Sequence, residues 1–210
     1  MPLVCAMVTG LIACHAATKP ATVTPPDLAL SGLVAQRIVV LPTYTLRVAP
    51  ELLASGAIGK SRDVMQAFDA DVLAALDERG LRKKWVFTPE LEQSYKRNST
   101  YATDPHALGE EPLRSDGLET GTRLPEPLAS QLRTMVALTD DARFVLAPVE
   151  LRLERLGSGY IRPALRLALL DARASEVRWV GDVKGDSAAT FGPSVTANLA
   201  TKMADLIATQ

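Results

Sequence analysis

Cysteine is nearly absent from this 210-residue chain. With only two, Cys5 and Cys14, a disulfide scaffold and a cysteine-rich zinc site are both excluded. Aromatic residues make up 5%, so any core must be built from Leu, Val, Ala and Ile. Neither sign of charge dominates: 23 Lys and Arg face 24 Asp and Glu, for a formal net charge of −1. A nucleic-acid binder should carry a basic surplus, so none is expected as a partner. A mean hydropathy of +0.09 excludes a polytopic membrane protein. What remains is a chain 47% hydrophobic and 22% charged, which is the composition of a folded globular protein rather than a disordered one. Its length suits about one domain.

The most informative segment is the amino terminus. No charged residue precedes Lys19. Met1 to Ala13 is a short apolar run, well under the roughly 20 residues that span a bilayer but of the size of a secretory signal's apolar region. It ends in Leu11-Ile12-Ala13-Cys14, which resembles a bacterial lipobox. The resemblance implies cleavage after Ala13, a diacylglycerol on the Cys14 sulfur and an acyl chain on its new amino group. The absence of Lys or Arg near Met1 departs from that pattern, and the alternative is a buried apolar strand with an unpaired Cys. Residues 1–13 are therefore expected to be a lipoprotein signal, removing Cys5. Residues 14–35, rich in Ala, Thr and Pro, are expected to be a lipidated Cys with an extended tether. The folded domain is expected over residues 36–208.

Within that domain, Arg37-Ile38-Val39-Val40-Leu41-Pro42 reads as a strand buried on both faces. Arg62 to Arg79 reads as a helix, with Met65, Phe68, Val72 and Leu76 on one face, Ser61 as N-cap and Gly80 as the stop. A short strand at Trp85-Val86-Phe87 and a short helix over Glu90 to Arg97 follow. Residues 98–125 are polar and broken by Gly and Pro, the pattern of a functional loop or a flexible insertion. A helix then carries Leu128, Leu132, Met135 and Val136. Phe144 to Leu156, Ile161 to Leu170 and Glu176 to Lys184 read as an antiparallel meander joined by turns at Gly157-Ser158-Gly159 and at 171–175. Val149, Leu151 and Leu153 are expected on its inner side, as are Leu165, Leu167 and Leu169, and Val177, Trp179 and Val183. Glu150, Arg152, Glu154, Arg162, Arg166, Arg178, Asp182 and Lys184 are expected outside, as a solvated, ion-paired face or a partner surface. A last helix starts after Pro193 with Ser194 as N-cap, burying Val195, Leu199, Met203 and Leu206. The predicted class is α/β (α+β): a single mixed sheet with helices mainly on one face.

Ile38-Val39-Val40-Leu41-Pro42, Ala142-Arg143-Phe144-Val145-Leu146, and Leu167-Ala168-Leu169-Leu170-Asp171-Ala172 turning into Glu176-Val177-Arg178-Trp179 resemble the α/β domain of bacterial envelope lipoproteins. That group includes the LpoB activator of penicillin-binding proteins, the curli-secretion lipoprotein and the amino-terminal domain of TolB. The resemblance covers about residues 36–208. It implies a binding or assembly module, not an enzyme, with an envelope protein as partner and no cofactor or metal. With Cys14, it implies lipid anchorage at the periplasmic face of the outer membrane.

Two chemical alternatives stand beside it. Ala54-Ser55-Gly56-Ala57-Ile58-Gly59-Lys60-Ser61 matches a relaxed phosphate loop, with Ala54 where the strict form has Gly. Gly59, Lys60 and Ser61 would cradle a nucleotide's phosphates, and Asp171 would serve magnesium. Against it, the loop does not follow a buried strand, and Asp171 also fits a hairpin turn. The other alternative is a hydrolase using His106, the single histidine of the folded part, in Asp104-Pro105-His106-Ala107-Leu108-Gly109-Glu110-Glu111. The same Asp104, His106, Glu110 and Glu111 are a candidate metal cluster, or simply a solvated loop.

Overall fold

The computed structural model describes residue 30 and residues 32–139 and 142–208. The expected signal and lipobox, including Cys14, lie outside the described residues. So does the tether, except for its last residues. Those do not behave as a tether: Leu30 and Leu33 are fully buried in the core, and Leu33–Ala35 form a 3-10 turn. Two leucines four residues or fewer apart give this stretch an apolar side worth burying, unlike the Thr- and Pro-rich part before it.

One mixed sheet organises the chain. Its strands are β1 (Ile38–Val40), β2 (Thr45–Val48), β3 (Phe144–Arg155), β4 (Ile161–Asp171) and β5 (Glu176–Lys184). β3, β4 and β5 form the expected antiparallel meander. β1 and β2 share the outer edge of β3, both parallel to it, β1 against Phe144 to Leu146 and β2 against Glu150 to Leu153. The strand expected at 85–87 shrinks to a single bridge, Val86 beside Val39, because Thr88 and Pro89 already start a helix there.

The helices are α1 (Pro50–Ala54), α2 (Ser61–Glu78), α3 (Thr88–Arg97), α4 (Leu128–Ala137) and α5 (Pro193–Ala208). The two longest, α2 and α5, lie on one face of the sheet, as expected. There Phe68, Val72, Leu76, Leu199 and Met203 meet Leu146, Leu151, Leu165, Leu167 and Trp179. Gly80 stops α2 at φ +74°, a conformation that suits a residue without Cβ. Ser61 is not the N-cap: the helix already includes it, Lys60 flanks it in extended conformation, and no side-chain cap forms. Ser194 likewise falls inside α5, which begins at Pro193, where proline's missing N–H costs nothing.

The second face is covered too. Val145, Ala147, Val149, Leu170 and Val177 pack beneath α4 and the segment expected to be a polar insertion. Residues 98–125 bury Leu108, Leu113, Leu118 and Leu124, spaced five or six apart, with a 3-10 turn at Glu111–Arg114. Leu124 N–H and Gly121 N–H donate to Ser175 O and Val177 O, so the segment also closes the start of β5's outer edge. Leucine spacing of this kind has no helical or strand period, which is why it reads as loop while still contributing core.

Two bulges decide which side chains face which layer. The β3–β4 register slips between Pro148 and Glu150, and the β4–β5 register between Leu169 and Leu170. Each inserts one residue and reverses the alternation. Val149 thus lies in the second layer, not with Leu151, and Val177 lies there too, not with Trp179 and Val183. Beyond the first bulge the outer face of the meander is charged, as expected. Arg152 pairs with Asp182 at 2.5 Å and Arg162 with Glu154 at 2.8 Å. Arg166 donates to Ser115 O, tying the 98–125 segment to that face.

Candidate functional site

Proline places the site. β1 and β2 are separated by residues 41–44, and Pro148 sits opposite that gap on β3. Pro148 has no N–H to give, and Pro42 has none either, so the parallel ladder breaks there. Leu41 N–H still donates to Leu146 O at 3.0 Å, after which the chain leaves the sheet. Its next residue but one, Thr43, turns to α2: Asp69 Oδ1 accepts from Thr43 N–H at 2.9 Å and from its hydroxyl at 2.6 Å. Tyr44 then donates its hydroxyl to Pro105 O at 2.8 Å, holding the 98–125 segment beside the break.

The result is a groove of about 540 Å³ between α2, the start of α3 and residues 104–106. Its floor is apolar, with Val40, Leu41, Val72, Leu73 and Phe87, and Met65 lines it from α2. Asp69, Glu92 and Asp104 supply three carboxyl groups, against Arg62 as the one permanent cation. His106 also lines it, and its Nε2 meets Glu92 Oε1 at 3.0 Å. Asp104 Oδ1 accepts from His106 N–H at 2.9 Å, fixing the turn that presents the imidazole. A cavity of this size, with an apolar floor and a few convergent polar groups, is the usual form of a binding site.

Burial pushes the Asp69 carboxyl up from the ordinary aspartate value, against the two hydrogen bonds from Thr43 and the attraction of His106. Burial likewise raises the Tyr44 phenol well above 10, helped by Glu110, Asp69 and Asp104, so it stays a neutral donor. Tyr44→Phe should destabilise the protein by about 1–2 kcal/mol, the net value of one partly buried hydrogen bond plus an unpaired Pro105 carbonyl. Faster backbone amide exchange confined to residues 101–110 would mark the same loss. Unchanged stability and unchanged exchange would remove Tyr44 as the clasp.

Of the residues singled out in the sequence, His106 and Asp104 do come together in this groove. Glu110 and Glu111 do not line it: the Glu110 side chain is largely buried, lies 3.5 Å from Arg114, and its pKa is raised by that burial. Among the described residues no group of three metal-ligating side chains forms. The phosphate-loop residues are dispersed. Residues 55–60 follow a helix, α1, whose Leu52 packs on Leu153 and Ile161 near the far end of β3. Asp171 pairs across from Phe144, at the near end, about 30 Å away along the strand. Its carboxyl is fully buried and accepts from Arg143 at 2.6 and 2.8 Å and from the N–H groups of Arg173 and Ala174. Burial would raise it, yet these bonds prevail and hold it below the usual range, so Asp171 is a hairpin residue with its oxygens committed. Thr43, Tyr44 and Asp69 were not singled out. The only signal for them is the Pro42 and Pro148 pair, whose meeting requires the register.

No family model matches the chain, and no curated protein does. Solved structures similar to it include the PelC dodecamer from Paraburkholderia phytofirmans, at 11% identity over 82% of this chain and 89% of that one, with a TM-score of 0.41. Lipoprotein GNA1162 from Neisseria meningitidis is similar at 15% identity over 83% and 99%, with a TM-score of 0.39. The LpoB C-terminal domain from Salmonella enterica is similar at 12% identity over 75% and 93%, with a TM-score of 0.35. The last belongs to the group that the sequence resembles.

Proposed function

We propose that this chain is a lipid-anchored cell-envelope protein, held through Cys14 at the periplasmic face of the outer membrane, whose α/β domain binds a protein partner rather than catalysing a reaction. The observation that carries the reading is the run Leu11-Ile12-Ala13-Cys14 at the end of an uncharged apolar stretch, followed by an Ala-, Thr- and Pro-rich connection to the domain. No helix among the described residues is long and apolar enough to cross a membrane, so an anchor of this kind is what would hold the domain there.

The groove supports binding over hydrolysis. A nucleophile needs a base within hydrogen-bond reach. Here the imidazole of His106 meets Glu92, while the Thr43 hydroxyl donates a hydrogen bond to a different carboxylate, Asp69, whose same oxygen accepts the Thr43 N–H and so fixes the loop. Hydroxyl and imidazole are each engaged with acids rather than with one another. The His106–Glu92 pair is also half-exposed on both sides, where an ion pair contributes little.

Metabolic labelling with a palmitate analogue tests the anchor. The wild-type chain should be acylated, cut before Cys14 and recovered with outer membranes. Cys14→Ala should abolish the label and leave the chain at its unprocessed mass. An intact, unmodified Cys14 in the mature protein refutes the reading.

A further inference from the structure

The groove beside the β1–β2 break has a composition that selects its occupant. Its floor is aliphatic and aromatic, and the groups that ring it carry three carboxyls against one guanidinium. Of the three, Asp69 is the one bound by the connection between β1 and β2. Both bonds from Thr43 go to Oδ1, and Oδ2 makes no hydrogen bond among the described residues. A carboxylate with one oxygen clamped to the backbone and the other unspent, against an apolar floor, is preorganised to receive a donor. Its raised pKa has the same origin: it is desolvated without a neighbouring Lys or Arg to offset the loss. Arg62, at the first turn of α2, is exposed and makes no ion pair among the described residues.

We propose that this groove receives a lysine or arginine side chain of the partner protein, its methylene stem on Leu73 and Phe87 and its cationic head on Asp69, with Glu92 and Asp104 at the rim. Long basic side chains are apolar along most of their length and cationic at the tip, so the floor and the carboxyls are each matched by one part of the same residue. A guanidinium suits the unspent Oδ2 best, because its planar fork donates to carboxylates in a fixed geometry. An acidic side chain would meet three like charges, and an apolar one would strand the Asp69 carboxyl out of water. The inference rests on the binding-module reading and supplies the chemistry of the partner.

The test uses the purified protein in nonionic detergent, with the Met65 methyl resonance as the local probe, since Met65 lines the groove. The ligand is acetyl-Ala-Arg-Ala-amide, with citrulline or glutamate replacing arginine as controls and n-hexylammonium as a free amine. The arginine peptide should shift Met65 and bind at least about tenfold more tightly than the citrulline peptide, the size of one charge-assisted contact. Asp69→Asn, which keeps an acceptor for Thr43, should abolish that preference, and Glu92→Gln should reduce it. Arg62→Ala should leave it intact or enlarge it. Equal or tighter binding of the glutamate peptide overturns the proposal. So does a Met65 shift with hexylammonium but none with the arginine peptide, which would make this a small-amine site. A Met65 resonance that no probe moves at millimolar concentration overturns it as well. None of these outcomes alters acyl labelling of Cys14, so the anchor and the groove fail or stand separately.

Discussion

Trp179→Ala should lower the stability of the protein by about 3–5 kcal/mol, the range for removing a buried large aromatic side chain. Trp179 is 7% exposed and lies opposite Leu169 on β4, in the layer built from α2, α5 and the inner face of the meander. Its removal leaves a cavity between β5 and the helical layer that the surrounding aliphatic side chains can close only in part. The loss is a large part of the margin of an ordinary domain, about 5–15 kcal/mol. The neighbouring Arg178→Ala should change stability by less than about 0.5 kcal/mol, as surface substitutions usually do. Arg178 is the extra residue of the second bulge, and its side chain is half in water beside Glu176. Urea melts of the two variants compare them directly. A larger loss from Arg178→Ala would mean that the bulge lies elsewhere and that the indole points out.

The same strand marks the limit of what the sequence alone discloses. Alternation along Glu176 to Lys184 correctly put Trp179 and Val183 inside, because both lie beyond the bulge. It put Val177 with them, and Val177 lies in the other layer. Val149 suffered the same inversion on β3. A bulge leaves no mark on hydrophobic pattern when both faces of the sheet are buried, since an apolar residue suits either side. Elements stabilised by their own periodicity were legible: α2 by Phe68, Val72 and Leu76, and β1 by its unbroken apolar run. Residues 98–125 were not, because Leu108, Leu113, Leu118 and Leu124 find their places only once the sheet exists to receive them. β2 and α1 were missed for a related reason: Thr45-Leu46-Arg47-Val48 is too short to show a period, and it is a strand because β3 offers it an edge.

The site was half legible. His106 and Asp104 stood out as a histidine and a carboxyl close together in the chain, and they do reach the groove. Asp69 carries no mark in the sequence that separates it from the other acids of α2. What distinguishes it from Asp63 or Asp77 is Thr43, a residue 26 positions away that arrives only because the ladder breaks at Pro42 and Pro148. The break is a property of register, and register is set by pairing between distant strands. The lipobox is the reverse case. As a run of consecutive residues, Leu11-Ile12-Ala13-Cys14 is read without any fold, and its acylation is a proposal on residues outside those described.

Gly181→Ala should cost about 1–3 kcal/mol, although it adds one methyl group to a half-exposed strand position. Trp179 and Gly181 are two apart on β5 and point the same way, so the indole leans along the strand over the glycine. A Cβ at residue 181 would stand 2.5 Å from Cζ2 and 2.9 Å from Cη2 of Trp179, closer than carbon atoms approach. The far edge of the ring cannot swing away by itself, because the indole is one rigid plane and it is held in the core. In other surroundings the same substitution in a strand would help by about 0.4–1 kcal/mol, through the unfolded chain's lost freedom. The sign therefore depends on the tryptophan. In a Trp179→Ala background the clash is gone, and Gly181→Ala should be neutral or stabilising. The double-mutant cycle should return a coupling of about 1–3 kcal/mol between two residues that make no hydrogen bond and carry no charge. Additive losses would show that the indole does not lie over Gly181, and the inward assignment of Trp179 would then rest on its burial alone.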